Sequence, residues 1–223
     1  MPALLVIFDL DGTLVDSEAL CNQALLDLVP ALTDPIAVVV NRYRGKKLAN
    51  ILRDIELRIG ARLSDNFEQL YRQRVAALFA SDLKPMPEVP EMLSALHHPF
   101  CIASSGPPEK MAHALAVTGL APYFGERTFS AYVVGSWKPE PGLFLHAAAT
   151  MGYAPKHCVV VEDSLVGLEA AAAAGMRALH YAPHGTNAMA GHTFSRMSAL
   201  PGMLRGIESV HGVIDSDSTK PAR

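Results

Sequence analysis

From residue 88 to residue 181, short apolar segments alternate with longer segments in which apolar residues recur at helical spacing. A strand followed by a helix, repeated along a chain, is typical of a parallel sheet with helices on both faces. We therefore predict an α/β fold with a Rossmann-like, three-layer core. The predicted strands are 100–103, 128–132, 158–161 and 176–181, and the predicted helices are 88–97, 108–118, 140–151 and 165–174. Beyond them we expect irregular chain, a last helix at about 197–208 and a frayed tail from residue 215.

The apolar run 4–8 has the character of these strands, whereas the chain that follows it is helical in pattern. The first strand thus belongs to the later α/β part, and the helical block is an insertion in it. We expect an α/β core domain of residues 1–16 and 86–223, and a four-helix cap domain of residues 17–85 that closes over the site against water. The predicted cap helices are 17–29, 34–42, 47–59 and 65–80.

Composition indicates a globular protein, since half of the 223 residues are apolar. No apolar stretch approaches the roughly 20 residues needed to span a bilayer, and no basic segment precedes the first apolar run. We expect a soluble, cytoplasmic chain with no membrane partner, as a monomer or weak homodimer. The cysteines Cys21, Cys101 and Cys158 lack the spacing of a metal site and are expected to be reduced thiols.

The net charge of −3 is unevenly distributed. Between Arg42 and Arg74 there are nine Lys or Arg against four Asp or Glu, so the rest of the chain is acidic. These charges are too dispersed for a nucleic-acid interface, and we expect no nucleic-acid partner. A basic cap over an acidic core would suit a small anionic ligand, although a solvated helical surface has the same composition.

Two aspartates follow the first apolar run, in the sequence Asp9-Leu10-Asp11-Gly12. In open parallel sheets, ligands bind where the strands end, and Gly12 permits the sharp turn that brings the second carboxyl near the first. Adjacent carboxyls push their pKa values apart, so that one can attack or bind metal while the other carries a proton. Ordinary turns and calcium loops show the same pattern, so the pair alone leaves the choice open.

Two other loops supply groups suited to phosphate. Ser104, Ser105 and Gly106 follow the predicted strand 100–103 and precede a helix, which is an arrangement that binds phosphate oxygens. Lys138 precedes the helix 140–151 and offers a point charge for the same oxygens. An ordinary Ser/Gly turn and a solvated lysine are the alternatives.

Two acids, Glu162 and Asp163, end the predicted strand 158–161. Acids at the end of a buried strand are costly unless a cation compensates them. Oxygen ligands from Asp9, Asp163 and the backbone near Asp11, completed by water and phosphate, match the preference of Mg²⁺, while Glu162 could ligate the metal or support its ligands.

Four segments resemble the motifs of the haloacid dehalogenase-like hydrolase superfamily, in their order and spacing. The match covers almost the whole chain, with the helical insertion where that superfamily has its cap. Segments 42–57 and 129–144 further resemble sugar-phosphate phosphatases of the beta-phosphoglucomutase branch. The four segments are FDLDGTLVDSE, ASSG, WKPEPGLF and VVVEDSLVGLEAAAAAGM.

The resemblance implies a role for each motif residue. Asp9 would attack phosphorus and form an aspartyl-phosphate, while Asp11 would protonate the leaving oxygen and later take a proton from water. Ser104 and Lys138 would hold the phosphoryl oxygens. Asp9, Asp11 through its carbonyl, and Asp163 would bind Mg²⁺, with Glu162 beside them.

Other activities of the superfamily are separated by single residues. Dehalogenases do not use the second aspartate, so Asp11 favours phosphoryl transfer. Mutases of the nearest branch carry a histidine early in the cap, where this chain has Cys21, which favours a phosphatase and leaves a phosphomutase as the alternative. A receiver-type signalling module also phosphorylates an aspartate beside Mg²⁺, but it lacks the helical insertion.

The loop 42–47 of the cap, Arg-Tyr-Arg-Gly-Lys-Lys, faces the active site in the family. Its cations suit a sugar-acid carboxylate better than a neutral sugar. Together with these cations, the resemblance implies a Mg²⁺-dependent phosphatase of small phosphorylated sugars or sugar acids, with 6-phosphogluconate favoured as its small-molecule substrate. The cap residues expected to bind substrate are Arg44, Gly45, Lys46 and Lys47; that one or none of them touches it stays open.

Overall fold

The computed structural model describes residues 4–183, 185 and 192–217, and in the last helix the side chains as far as Ser209. The described part contains a parallel sheet of six strands in the order β3-β2-β1-β4-β5-β6. None of its helices is long and apolar enough to cross a membrane. The strands are β1 Leu5–Phe8, β2 Phe100–Ser104, β3 Thr128–Ser130, β4 Cys158–Glu162, β5 Arg177–Tyr181 and β6 His192–Phe194.

The central strand β1 is apolar at every position because both faces of the sheet are covered. Successive side chains of a strand point to opposite faces. Leu5 and Ile7 accordingly lie in one core cluster and Val6 and Phe8 in the other. This arrangement confirms the predicted α/β architecture with three layers.

Helices of the α/β part alternate with the strands, as the sequence predicts. Short 3₁₀ turns precede β4 and the last helix. The helices are α5 Val89–Ala95, α6 Pro108–Val117, α7 Ala121–Phe124, α8 Ala131–Val134, α9 Gly142–Thr150, α10 Leu165–Ala173 and α11 Leu200–Asp217.

Four further helices lie between β1 and α5 in the chain and share a core cluster of their own, which includes Leu25, Val39 and Ile55. The two connections to the α/β part run side by side: Met86 N–H donates to the Leu14 carbonyl at 2.9 Å, and a β-bridge joins the neighbouring residues. The four helices are α1 Glu18–Leu28, α2 Ile36–Tyr43, α3 Leu48–Ile59 and α4 Phe67–Asp82.

Three predictions of local structure differ from the observed fold. The strand predicted at 128–132 ends at Ser130, whose hydroxyl accepts a hydrogen bond from the Tyr132 N–H and starts α8. The chain past residue 181 was expected to be irregular, but β6 extends the sheet there; residues 184 and 186–191 lie outside the described residues. The last helix reaches Asp217, past the expected start of the tail at residue 215, and residues 218–223 lie outside the described residues.

Candidate active site

The site lies where three neighbouring strands end. β1 runs between β2 and β4, so their carboxyl ends meet at one edge of the sheet. Asp9 directly follows β1, whereas Ser104 and Glu162 are the last residues of β2 and β4. All three side chains are buried. The structure thus brings together the groups that the sequence placed at these strand ends.

Lys138, in the loop between α8 and α9, reaches into this edge with its side chain only 4% exposed. Its Nζ donates hydrogen bonds to Asp9 Oδ1 at 2.5 Å and to Glu162 Oε2 at 2.6 Å. The other oxygen of Glu162 accepts from the Ser164 N–H at 3.1 Å and the Ser164 hydroxyl at 2.7 Å. Both oxygens of Glu162 therefore have donors, which favours a supporting role for Glu162 over a metal-binding one.

Helix α10 accommodates the Glu162 side chain only because residue 167 is glycine. A Cβ on Gly167 would lie 2.0 Å from Glu162 Cδ. Ser164 caps the same helix by accepting a hydrogen bond from the Gly167 N–H at 3.2 Å. The start of α10 and the placement of Glu162 are thus one packing unit.

Asp9, Glu162 and Asp163 form an acidic cluster whose oxygens lie within 4.8 Å of one another. Burial, with repulsion from Glu162, raises the pKa of Asp9 to about 7, although Lys138 acts in the opposite direction. Burial, with repulsion from Glu162 and Asp9, raises the pKa of Asp163 well above its usual range. A divalent cation would offset this repulsion, and the hard oxygens present fit Mg²⁺. Glu162 belongs to the same cluster, but both of its oxygens accept hydrogen bonds, whereas Asp9 and Asp163 each keep one oxygen without a donor among the described residues and are better placed to hold the ion.

Asp163 is itself held in place. Its Oδ1 accepts a hydrogen bond from the Thr13 hydroxyl at 3.2 Å. Gly12 has a φ of +83°, and a Cβ there would lie 2.5 Å from Asp163 Oδ2. The Asp-x-Asp-Gly turn therefore needs its glycine both for its backbone conformation and for the approach of the third aspartate.

Asp11 has a different environment from Asp9. Its Oδ1 accepts hydrogen bonds from Lys110 Nζ at 2.6 Å and from the Ser17 hydroxyl at 2.5 Å. Burial acts to raise the pKa of Asp11, but Lys110 and Ser17 more than offset it, so this pKa is lowered. The pKa of Asp11, the group expected to carry the proton, therefore lies below that of Asp9, and the cause is the contact with Lys110 and Ser17 rather than repulsion between the two aspartates.

Lys110 is a site residue that the sequence reasoning missed. It lies in the first turn of α6, where the helix dipole disfavours a cation. A lysine two residues after Pro108, in the first turn of a helix that follows a strand end, was the available signal.

The turn after β2 is ordered by two serines. The Ser104 hydroxyl accepts a hydrogen bond from the Gly106 N–H at 3.0 Å, which leaves its own hydrogen to donate. Ser130 donates to the Gly106 carbonyl at 2.6 Å. Ser105 lines the cavity described next. The turn can therefore present a hydroxyl to an oxyanion.

A cavity of about 440 Å³ extends from these groups between the α/β part and helices α1 to α4. Gly45, Lys46 and Lys47 line it, whereas Arg44 does not. The cations of α4 and α6 that reach the cavity are Arg72 and Lys110. It is large enough for a small phosphate ester.

The cations of the predicted cap loop have separate surroundings. Arg42 is paired with Asp54 at 2.7 Å, outside the cavity. Arg44 Nε lies 3.4 Å from Glu18 and 4.0 Å from Asp163. By contrast, Lys47 and Lys46 remain at the cavity wall. Lys47 Nζ lies 3.8 Å from the centre of the Trp137 ring, and the ammonium group of Lys46 makes no hydrogen bond or ion pair with any described residue.

The three cysteines are free thiols, as expected. Cys101 and Cys158 are buried in the core. Cys21 lines the cavity, and burial raises its pKa to about 11. A thiol with this pKa is a poor nucleophile at neutral pH. It therefore does not replace the aspartates as a reacting group.

A family model for haloacid dehalogenase-like hydrolases matches residues 4–175. The chain is 36% identical over 203 residues to the 6-phosphogluconate phosphatase of Escherichia coli (strain K12), a match that covers 88% of this chain and 92% of that protein. A haloacid dehalogenase-like protein of unknown function from Agrobacterium tumefaciens superimposes with a TM-score of 0.78 at 33% identity, over 92% of this chain and 98% of that one. A family hydrolase from Deinococcus radiodurans, solved with phosphate and sodium, has a TM-score of 0.74 at 26% identity, over 92% and 96% of the two chains. The chain belongs to the haloacid dehalogenase-like hydrolase family and is a phosphoric monoester hydrolase.

Proposed function

We propose that this chain is a Mg²⁺-dependent phosphatase of small phosphorylated sugars or sugar acids, with 6-phosphogluconate as the favoured substrate. The observation that carries the proposal is the buried Asp9 carboxylate, held by Lys138 beside Asp163 at the base of a cavity with lysines in its wall. The E. coli relative, named for 6-phosphogluconate, supports the substrate class.

The base of the cavity contains the groups needed to bind a phosphoryl group. The Ser104 hydroxyl and the Lys138 ammonium would bind its oxygens, as expected from the sequence. Asp9, Asp163 and the carbonyl of Asp11 would hold Mg²⁺, which would supply charge neutralisation at the phosphoryl oxygens. Since phosphoryl transfer depends mainly on positioning and charge, this set suffices in kind.

Two aspartates divide the chemistry. A carboxylate oxygen of Asp9 forms a bond to phosphorus as the bond to the leaving oxygen breaks, and that oxygen keeps the electron pair and takes a proton from Asp11. Water then attacks phosphorus and gives a proton to Asp11. The bond between phosphorus and the Asp9 oxygen breaks, so that Asp9 is regenerated and phosphate is released. Asp11 has a lowered pKa without substrate, and the negative phosphate beside it would raise its affinity for the proton.

We further propose that residues 17–85 act as a cap domain that reads the substrate. Lys46 and Lys47 would bind a distal carboxylate by charge-assisted hydrogen bonds. Arg44, which the sequence also assigned to substrate, lies against Glu18 and Asp163 and would hold the loop instead. Gly45 lines the wall between them.

Steady-state phosphate release tests the activity. We expect sustained release from 6-phosphogluconate with Mg²⁺, none with EDTA, and none from Asp9→Asn, which should keep the fold intact. A single stoichiometric labelling event without turnover would instead indicate a signalling module, and isomerisation of a sugar phosphate would indicate a mutase. Retained turnover in Asp9→Asn would exclude Asp9 as the nucleophile.

A comparison of two substrates tests the recognition of the carboxylate. Lys46→Met and Lys47→Met should each raise KM for 6-phosphogluconate about tenfold or more, as expected for loss of a hydrogen bond to a charged group, and change KM for p-nitrophenyl phosphate little. Arg42→Met is the matched control, because Arg42 lies outside the cavity. Equal changes for both substrates would exclude these lysines as carboxylate ligands.

A further inference from the structure

The position of Lys110 is unfavourable for a cation in two respects, the helix dipole and burial. It is the third residue of α6, at the positive end of the helix dipole, and its side chain is only 23% exposed. The Asp11 carboxylate, 2.6 Å away, compensates its charge, and the Phe79 ring of α4 lies 5.7 Å from Nζ. The ammonium is therefore held between the catalytic turn and a helix of the cap.

The hydrogen bonds of Asp11 are divided unequally between its two oxygens. Both Lys110 and Ser17 donate to Oδ1. No described residue donates a hydrogen bond to Oδ2, which lies 3.7 Å from the position that a Cβ on Gly106 would occupy, and Ser104 Oγ lies 3.4 Å from the same position. Oδ2 therefore faces the turn that is proposed to bind the phosphoryl group.

We propose that Lys110, assisted by Ser17, is the positioning residue for Asp11. By holding Oδ1, it orients the carboxyl group so that Oδ2 delivers the proton to the leaving oxygen and receives it back from water. Without this contact, rotation about the terminal bond of the Asp11 side chain is broad. The inference rests on the proposed role of Asp11 as proton carrier.

The two lysines of the site then have separate tasks. Lys138 contacts Asp9 and Glu162, so its removal affects every phosphoryl transfer. Lys110 contacts Asp11, so its removal affects only the steps that need a proton. A substrate whose leaving group needs no proton therefore distinguishes them.

The test compares p-nitrophenyl phosphate, whose phenolate leaves without protonation, with phenyl phosphate, whose leaving oxygen needs the proton. In rapid-quench first turnovers with Mg²⁺, Lys110→Met should release p-nitrophenol within about threefold of the wild-type rate and phenol at least tenfold more slowly, since a positioned general acid contributes about 10²–10⁴-fold. Lys110→Arg should restore part of the phenol rate. Lys156→Met, on the exposed surface, is the matched control.

Several results would overturn the inference. Equal losses with both esters would make Lys110 a phosphate ligand, and no loss with either would remove it from the site. A loss by Lys110→Met that persists in full in an Asp11→Asn background would show that it does not act through Asp11. Ser17→Ala gives the same comparison if Lys110→Met fails to fold. If the wild-type protein released neither p-nitrophenol nor phenol, the proposed function itself would be overturned.

Discussion

Replacing Glu162 with glutamine separates the two roles that the sequence left open for this residue. Glu162 accepts from Ser164 with one oxygen and from Lys138 with the other. In either orientation the glutamine amide would turn an N–H₂ group toward one of these donors. The substitution therefore removes one acceptor from a fully enclosed network, with almost no change in side-chain volume.

The size of the loss in stability depends on the contact with Asp9, which Lys138 keeps in the variant. Loss of a hydrogen bond to a charged group costs about 1.5–3 kcal/mol, below the 3–5 kcal/mol for breaking a buried ion pair completely, because Lys138 still contacts Asp9. Relief of repulsion between Glu162 and Asp9 offsets part of the loss. We expect the free energy of unfolding to fall by about 2 kcal/mol, which is about 4–8 °C in Tm for a chain of this length.

Two measurements on the same variant decide the role. Thermal denaturation should show the lowered Tm, and kcat should fall because Lys138 loses one of its two partners. The Mg²⁺ concentration for half-maximal activity should stay within about threefold of wild type, whereas Asp163→Asn should raise it at least about tenfold through loss of a metal ligand. A glutamine variant that raises the Mg²⁺ requirement as much as Asp163→Asn does, with Tm unchanged, would make Glu162 a ligand and refute the supporting role.

Three further predictions concern packing, the cap and pH. Gly167→Ala should lower the free energy of unfolding by about 1–3 kcal/mol in denaturant titrations because its Cβ would overlap Glu162, whereas Gly206→Ala, a helical control with open space around it, should be neutral or stabilising. Lys47→Met should change the fluorescence of Trp137, the single tryptophan, and Lys46→Met should not; equal changes would contradict the Lys47–Trp137 contact. In the metal-free protein, the pKa of Asp9 rises from 3.8 to about 7, so the folded chain retains a proton that the unfolded chain releases. Stability should therefore fall as pH rises from about 4 to about 7, and Mg²⁺ should raise Tm more at pH 8 than at pH 5, a difference that Asp9→Asn should largely remove.

The fold could be predicted where burial leaves a pattern in the sequence. β1 and β4 are covered on both faces; β1 is a run of apolar residues, and β4 is one up to its last residue, Glu162. β6 lies at the edge of the sheet, is three residues long and is polar at its first two positions. It therefore has no apolar run from which a strand could be predicted. The stretch after Ser130 contains Tyr132 and two valines, which favour a strand. A short helix forms instead, because Ser130 caps its start and the glycine at 135 ends it.

The site could be predicted where backbone position alone determines which residues meet. Asp9 and Asp163 are 154 positions apart in the sequence. Asp9 follows β1 and Asp163 follows β4, and because these strands are neighbours in the sheet, the topology brings the two residues together. The contact between Lys110, in helix α6, and Asp11, in the turn after β1, depends on side-chain conformation, which strand topology does not determine. Arg44 shows the same limit, because its partners Glu18 and Asp163 decide where its charge lies.

Three contacts between the cap and the α/β part fall beside proposed catalytic groups. Lys47 covers Trp137, the residue before Lys138. Arg44 approaches Asp163, and Phe79 covers the ammonium that holds Asp11. If residues 17–85 act as the proposed cap, each of these three contacts would place the cap and fix a reacting side chain at once, so closure of the cap would also assemble the site. Loss of such a contact should for that reason lower kcat, and not only raise KM, even for a substrate too small to touch the cap.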